Sequence, residues 1–108
     1  MPSSISETDW KYLRSIKDEL LASLCRRINE KTVEVLRSTD KTDYEKYLAV
    51  YNHIKDSDDI VAVCFNDWRR ATIGQRLISM HHHKLLTEKH LQNLSEKTRE
   101  FVKGSEAL

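Results

Sequence analysis

Two glycines and one proline in 108 residues leave this chain few ordinary means of turning sharply. A chain of this length would carry about seven or eight glycines and about five prolines on average. Sandwiches, barrels and glycine-rich phosphate loops need those residues where φ must be positive or fixed. The scarcity therefore points to an all-α fold, with long amphipathic helices in an antiparallel arrangement and a short helical head near the C-terminus. The length suits a single helical domain over residues 1–108.

Hydrophobic spacing divides the chain further. Residues 1–7 read as a disordered tail, in which Ser6, or Thr8 just after it, can cap the first helix. Trp10, Leu13, Ile16, Leu20, Leu24, Ile28 and Val35 recur at helical spacing and predict helix over 8–37. At 1.5 Å per residue such a helix is roughly 40 Å long. A compact 100-residue domain is only about 26 Å across by its radius of gyration, so part of this helix must project or pair.

Thr42-Asp43-Tyr44-Glu45 has the form of a capping box and opens a second helix over 42–56. Its apolar stripe is Tyr44, Tyr47, Leu48, Tyr51 and Ile54. Asp56-Ser57-Asp58-Asp59 then either caps a new helix or forms a charged turn within one continuous helix. Helix is predicted over 58–83, because Ile60-Val61-Ala62-Val63-Cys64-Phe65 runs on to His83 without a turn signal. Gly74 inside it marks a close helix crossing, a local bend or a merely tolerated glycine. Two short helices over 87–103 complete the chain: Thr87 is flanked by Leu86 and Leu91 as in a hydrophobic staple, Ser95 caps the second, and Gly104 occupies a C′ position.

Eighteen Lys and Arg against seventeen Asp and Glu give a net charge of +1, which supplies no global field for nucleic acid or anionic lipid. No apolar run approaches the ~18 residues of a membrane span, so the chain reads as cytoplasmic with no membrane association. Cys25 and Cys64 lack metal-type spacing and read as buried free thiols.

His81, His82 and His83 are consecutive on a helix and point about 100° apart, so one ion cannot gather all three. No nucleophile-base pairing, phosphate loop or paired carboxylates appear. The expectation is a non-enzymatic protein without cofactor or metal.

The chemistry that remains is recognition. Arg69, Arg76 and His83 fall seven residues apart on one helical stripe, with Arg70 and Lys84 beside it. Asp67 and Arg70 are spaced to pair at i, i+3, and Trp68 continues the apolar stripe. Arginine beside Trp and Tyr is the composition of binding hot spots. The expected partner-binding residues are Asp67, Trp68, Arg69, Arg70 and Arg76, with Tyr47, Tyr51 and His53. The leading reading is a homodimer that binds a protein partner. The alternative is a small nucleic-acid-binding regulator using Arg69, Arg70, Arg76, His83 and Lys84.

From Asn66-Asp67-Trp68-Arg69 through Leu85-Leu86-Thr87-Glu88 to Leu91-Gln92-Asn93-Leu94-Ser95-Glu96-Lys97, the chain resembles the fluorescence recovery protein family. Asp67 and Arg69 match that family's Asp-x-Arg, and Leu91 and Leu94 its closing Leu-x-x-Leu. In the preceding helix, where the family carries a Trp and a His-Asp pair, this chain has Tyr47 or Tyr51 and Asn52-His53. The family consists of small helical dimers that bind the orange carotenoid protein of cyanobacteria, with relatives outside photosynthetic organisms. The resemblance implies a dimeric all-α architecture and a partner-binding surface that includes Asp67 and Arg69.

Overall fold

A computed structural model describes residues 5–104. Residues 1–4 of the expected tail, like residues 105–108, lie outside that range. The described residues form helices and no strand: α1 (Glu7–Arg37), α2 (Asp43–Phe65), α3 (Ile73–His82), α4 (Glu88–Gln92) and α5 (Glu96–Gly104). The all-α expectation holds.

Helix α1 begins one residue earlier than its pattern suggested, because the Ser6 hydroxyl accepts the Asp9 N–H at 3.1 Å. Residues 5–7 are not disordered tail, since Ile5 is 4% exposed and sits in the core. Arg70 holds this end, donating to the Ile5 carbonyl through Nε and Nη2 at 3.0 and 2.9 Å and to Glu7 through Nη1 at 2.7 Å. A carbonyl preceding the helix is thereby satisfied by a side chain 65 residues away in the sequence.

At the other end of α1, Ser38 ends the helix and the Thr42–Glu45 capping box starts α2. The two helices pack as a hairpin. Half-buried His53 donates from Nε2 to the Ile28 carbonyl at 3.0 Å, linking them midway.

The expected division into helices over 42–56 and 58–83 is incorrect. Helix α2 runs straight through Asp56–Asp59, whose carboxylates are exposed, and the Ser57 hydroxyl donates back to the His53 carbonyl at 2.7 Å. A serine hydroxyl bonded to the carbonyl four residues back is compatible with helix, and the segment holds no glycine or proline, so nothing ends the helix there. The break comes at residues 66–72, where Asp67 takes φ 55°. Asp is one of the few residues besides glycine that visits this region readily.

The chain breaks a second time at His83. The Leu85 N–H bonds the Met80 carbonyl and the Lys84 N–H bonds that of His81, with Lys84 at φ 59°. This is a Schellman closure with lysine where glycine is usual. Arg27 completes it from α1, donating to the carbonyls of His83 and Lys84 at 2.6 and 2.7 Å.

The core lies at one end of the molecule. Leu13, Leu20 and Leu24 of α1 pack with Cys64 and Phe65 of α2, Ile73, Leu77 and Met80 of α3, and Leu85, Leu86, Leu91, Leu94 and Val102 of the head. Thr87 and Ser95 cap as expected: the Thr87 hydroxyl accepts the His90 N–H, and Leu86 and Leu91 are buried beside it. The hairpin extends beyond this head, so the principal dimensions are 51 × 29 × 24 Å and the radius of gyration is 16.6 Å, against about 13 Å for a compact 100-residue domain.

Candidate functional site

Two surfaces stand out, the connection between α2 and α3 and the outer face of the hairpin. At the connection, Asp67 takes a positive φ outside any helix. Arg69 grips it with two bonds, Nη2 to Oδ2 measuring 3.0 Å. The pairing is between Asp67 and Arg69, not the expected Asp67 and Arg70. The i, i+3 relationship assumed a helix, and these residues are not helical. The Arg69 guanidinium, by hydrogen bond and charge, holds the Asp67 carboxyl below the usual aspartate range. Both side chains stay largely in solvent, so their pair offers a donor fork and an acceptor to an incoming group.

The other arginines are turned inward. Arg70 is engaged with Ile5 and Glu7. Arg76 donates from Nη1 to the Asn66 carbonyl at 2.8 Å, completing the end of α2. The proposed stripe Arg69–Arg76–His83 does not exist, because Arg69 precedes α3 and His83 is its C-cap. Burial depresses the His83 pKa, helped by neighbouring His82 and Arg27, which makes His83 a poor cation for phosphates. Trp68 stacks on Phe65 with ring centroids 5.6 Å apart, and Lys17 Nζ sits 5.5 Å from its ring. It is partly buried against the core and serves as a packing residue.

On the hairpin, Tyr44, Tyr47 and Tyr51 are 68%, 64% and 57% exposed, and Leu48 and Ile54 are exposed with them. Tyr44 and Tyr47 lie with ring centroids 6.4 Å apart. Leu36 of α1 joins Tyr47, Val50, Tyr51 and Ile54 along a shallow groove. His53 does not belong to this face, because it is turned toward α1. Sequence reasoning also missed Leu36 and Val33, which are exposed on α1. The available signal was Val33-Glu34-Val35-Leu36, three aliphatics in four residues on a helix with room for one of them on the inward stripe.

Among the described residues, no three His, Cys, Asp or Glu side chains are grouped closely enough to share a metal ion. No described helix is long and apolar enough to cross a membrane. Both cysteines are free; Cys64 is buried as expected, whereas Cys25 is exposed. Compared with known protein families, with curated proteins and with solved structures, the chain matches none.

Proposed function

We propose that the protein is a non-enzymatic regulator or adaptor that dimerises through its hairpin and offers the Asp67–Arg69 connection to a protein partner. One observation carries this reading: from Cys25 to Asp56 no residue is buried, although the segment holds the largest aromatic residues of α2. Isolated two-helix hairpins without a core are marginal in water, and an aromatic stripe of this kind is the usual mark of an interface.

The area is adequate. Tyr44, Tyr47 and Tyr51 with Leu36, Leu48 and Ile54 present on the order of 600 Å² of apolar surface, comparable to the apolar part of a standard interface of roughly 800 Å² per partner. The regulatory role is the one implied by the resemblance of residues 66–97 to the fluorescence recovery protein family.

Sedimentation over a concentration series tests the dimer, with wild type expected at twice the chain mass and Tyr47→Glu with Tyr51→Glu at the chain mass. A wild-type monomer at tens of micromolar would remove this reading. For the partner surface, Asp67→Ala with Arg69→Ala should lose a partner captured from the native host while remaining dimeric. The nucleic-acid alternative draws on Arg70, Arg76 and His83, whose side chains or charge are committed elsewhere in the chain, and no observation favours it.

A further inference from the structure

We infer that the second copy lies antiparallel along α2, centred near Ala49, so that Tyr47 faces the partner's Tyr51 and Tyr44 faces the partner's Ile54. This rests on the dimeric reading above and adds its register. The stripe is itself symmetric: residues 44 and 54, and residues 47 and 51, are each centred on position 49, and all four side chains are exposed. A two-fold axis there covers the whole stripe of one copy with the same stripe of the other, as an isologous interface requires.

Charge selects the direction. At 100° per residue, Asp58 falls on the same helical line as Tyr47 and Tyr51. It is exposed, and among the described residues it forms no ion pair. Parallel pairing would set the Asp58 carboxylate against its own copy at the edge of an apolar contact. Antiparallel pairing separates the two Asp58 residues by about 27 Å along the helix axis and brings each to the hairpin tip, where Arg37 and Lys41 balance Asp40 and Asp43. The like-charge contact is thereby avoided, which favours this register over its reverse.

Spin labels test the register in the full chain. In a Cys25→Ser background, which leaves Cys64 buried, single nitroxides are placed at exposed Asp59→Cys or Asn52→Cys. Antiparallel pairing about residue 49 separates the two Asp59 labels by about 30 Å along the helix axis and the two Asn52 labels by about 9 Å. An Asp59 distance longer than the Asn52 distance by well over 10 Å supports the proposal. Similar distances at both sites in a protein that sediments as a dimer mean parallel pairing and overturn it. Dimers that survive Tyr47→Glu with Tyr51→Glu use another surface and overturn it too. Wild type that sediments as a monomer overturns the dimeric reading itself and assigns the stripe to a different protein.

Discussion

Asp9, in the first turn of α1, accepts the Thr98 hydroxyl at 2.6 Å across 89 residues of sequence. The same carboxylate accepts the Ser95 N–H at 2.9 Å and the Ser95 hydroxyl at 2.7 Å, and it is 2% exposed. One side chain thus holds the Ser95 cap of α5 in place and ties the head to α1. A buried carboxylate is tolerable only when its oxygens are saturated in this way. Asp9→Asn keeps the shape but replaces one acceptor oxygen with a donor facing donors. It should cost about 2–4 kcal/mol by denaturant unfolding, with much of the loss shared by Thr98→Val in a double-mutant cycle. Additive effects would show that the two side chains act separately.

The same network predicts acid sensitivity. Burial would raise the Asp9 pKa, but the bonds from Thr98 and Ser95 outweigh it and leave the group below the ordinary aspartate value. With the folded pKa depressed, the unfolded chain binds the proton more readily. The stabilisation is therefore complete above the unfolded pKa of about 3.9 and disappears as pH falls through the folded value. Wild type should lose stability from pH 5 downward more steeply than Asp9→Asn. Parallel curves for the two proteins would exclude Asp9 as a source of the acid sensitivity.

Helix type, capping and most helix ends were legible in the sequence, including those of α1 at Arg37 and α3 at His82; the break between α2 and α3 was not, for one physical reason. Capping needs side chains that announce themselves: Thr42 with Glu45, and Thr87 between two leucines. Within the expected helix over 58–83 a bend was sought at Gly74, yet the positive-φ residues are Asp67 and Lys84. Each adopts a positive φ that arginines stabilise from elsewhere: Arg69 on the Asp67 carboxylate, and Arg27 on the carbonyls beside Lys84. Gly74 is buried in the first turn of α3 and takes no positive φ. The tyrosine stripe could be read from its spacing, but spacing alone could not reveal that it stays exposed beside Leu36 of α1. That depends on His53 and Ser57, rather than the tyrosines, being the side chains of α2 that are turned inward.

Lys84 offers a direct check of this account. A non-glycine residue held at φ 59° carries a backbone cost that glycine avoids, so Lys84→Gly should stabilise the protein by about 0.5–1 kcal/mol despite the greater entropy of the unfolded chain. The corresponding rise in Tm is about 2–8 °C for a domain of this size. Arg27→Met, by contrast, leaves the His83 and Lys84 carbonyls without their donor and should destabilise by about 1–2 kcal/mol. If Lys84→Gly proves destabilising, the lysine side chain supplies something beyond its backbone conformation.

The hairpin face and the core should respond oppositely to substitution. Tyr47 and Tyr51 are exposed and lie outside the buried core, so glutamate at both positions should leave the packed head folded, while the undimerised hairpin loses part of its helicity. Dimer affinity, in contrast, should fall by more than about 30-fold for Tyr47→Ala alone if that residue is a central anchor. Circular dichroism and sedimentation on the same samples separate the two effects. A variant that unfolds would place the tyrosines in the fold of the single chain.

Thiol chemistry distinguishes the two ends of the molecule. Burial raises the Cys64 pKa, and the side chain is inaccessible in the core, so it carries little thiolate and cannot be reached. Cys25 lies exposed on the outer surface of α1. One thiol per chain should react with an aromatic disulfide reagent under native conditions, and two after denaturation. Cys25→Ser should abolish the native reaction while leaving the second thiol to appear on unfolding. Because Cys64 packs where α2 enters the head, the rate at which it becomes reactive in native buffer reports opening of the core rather than fraying of the hairpin. Asp9→Asn should therefore accelerate Cys64 labelling, whereas Tyr47→Glu with Tyr51→Glu should leave it unchanged. Equal acceleration by both would mean that the hairpin and head unfold as one unit.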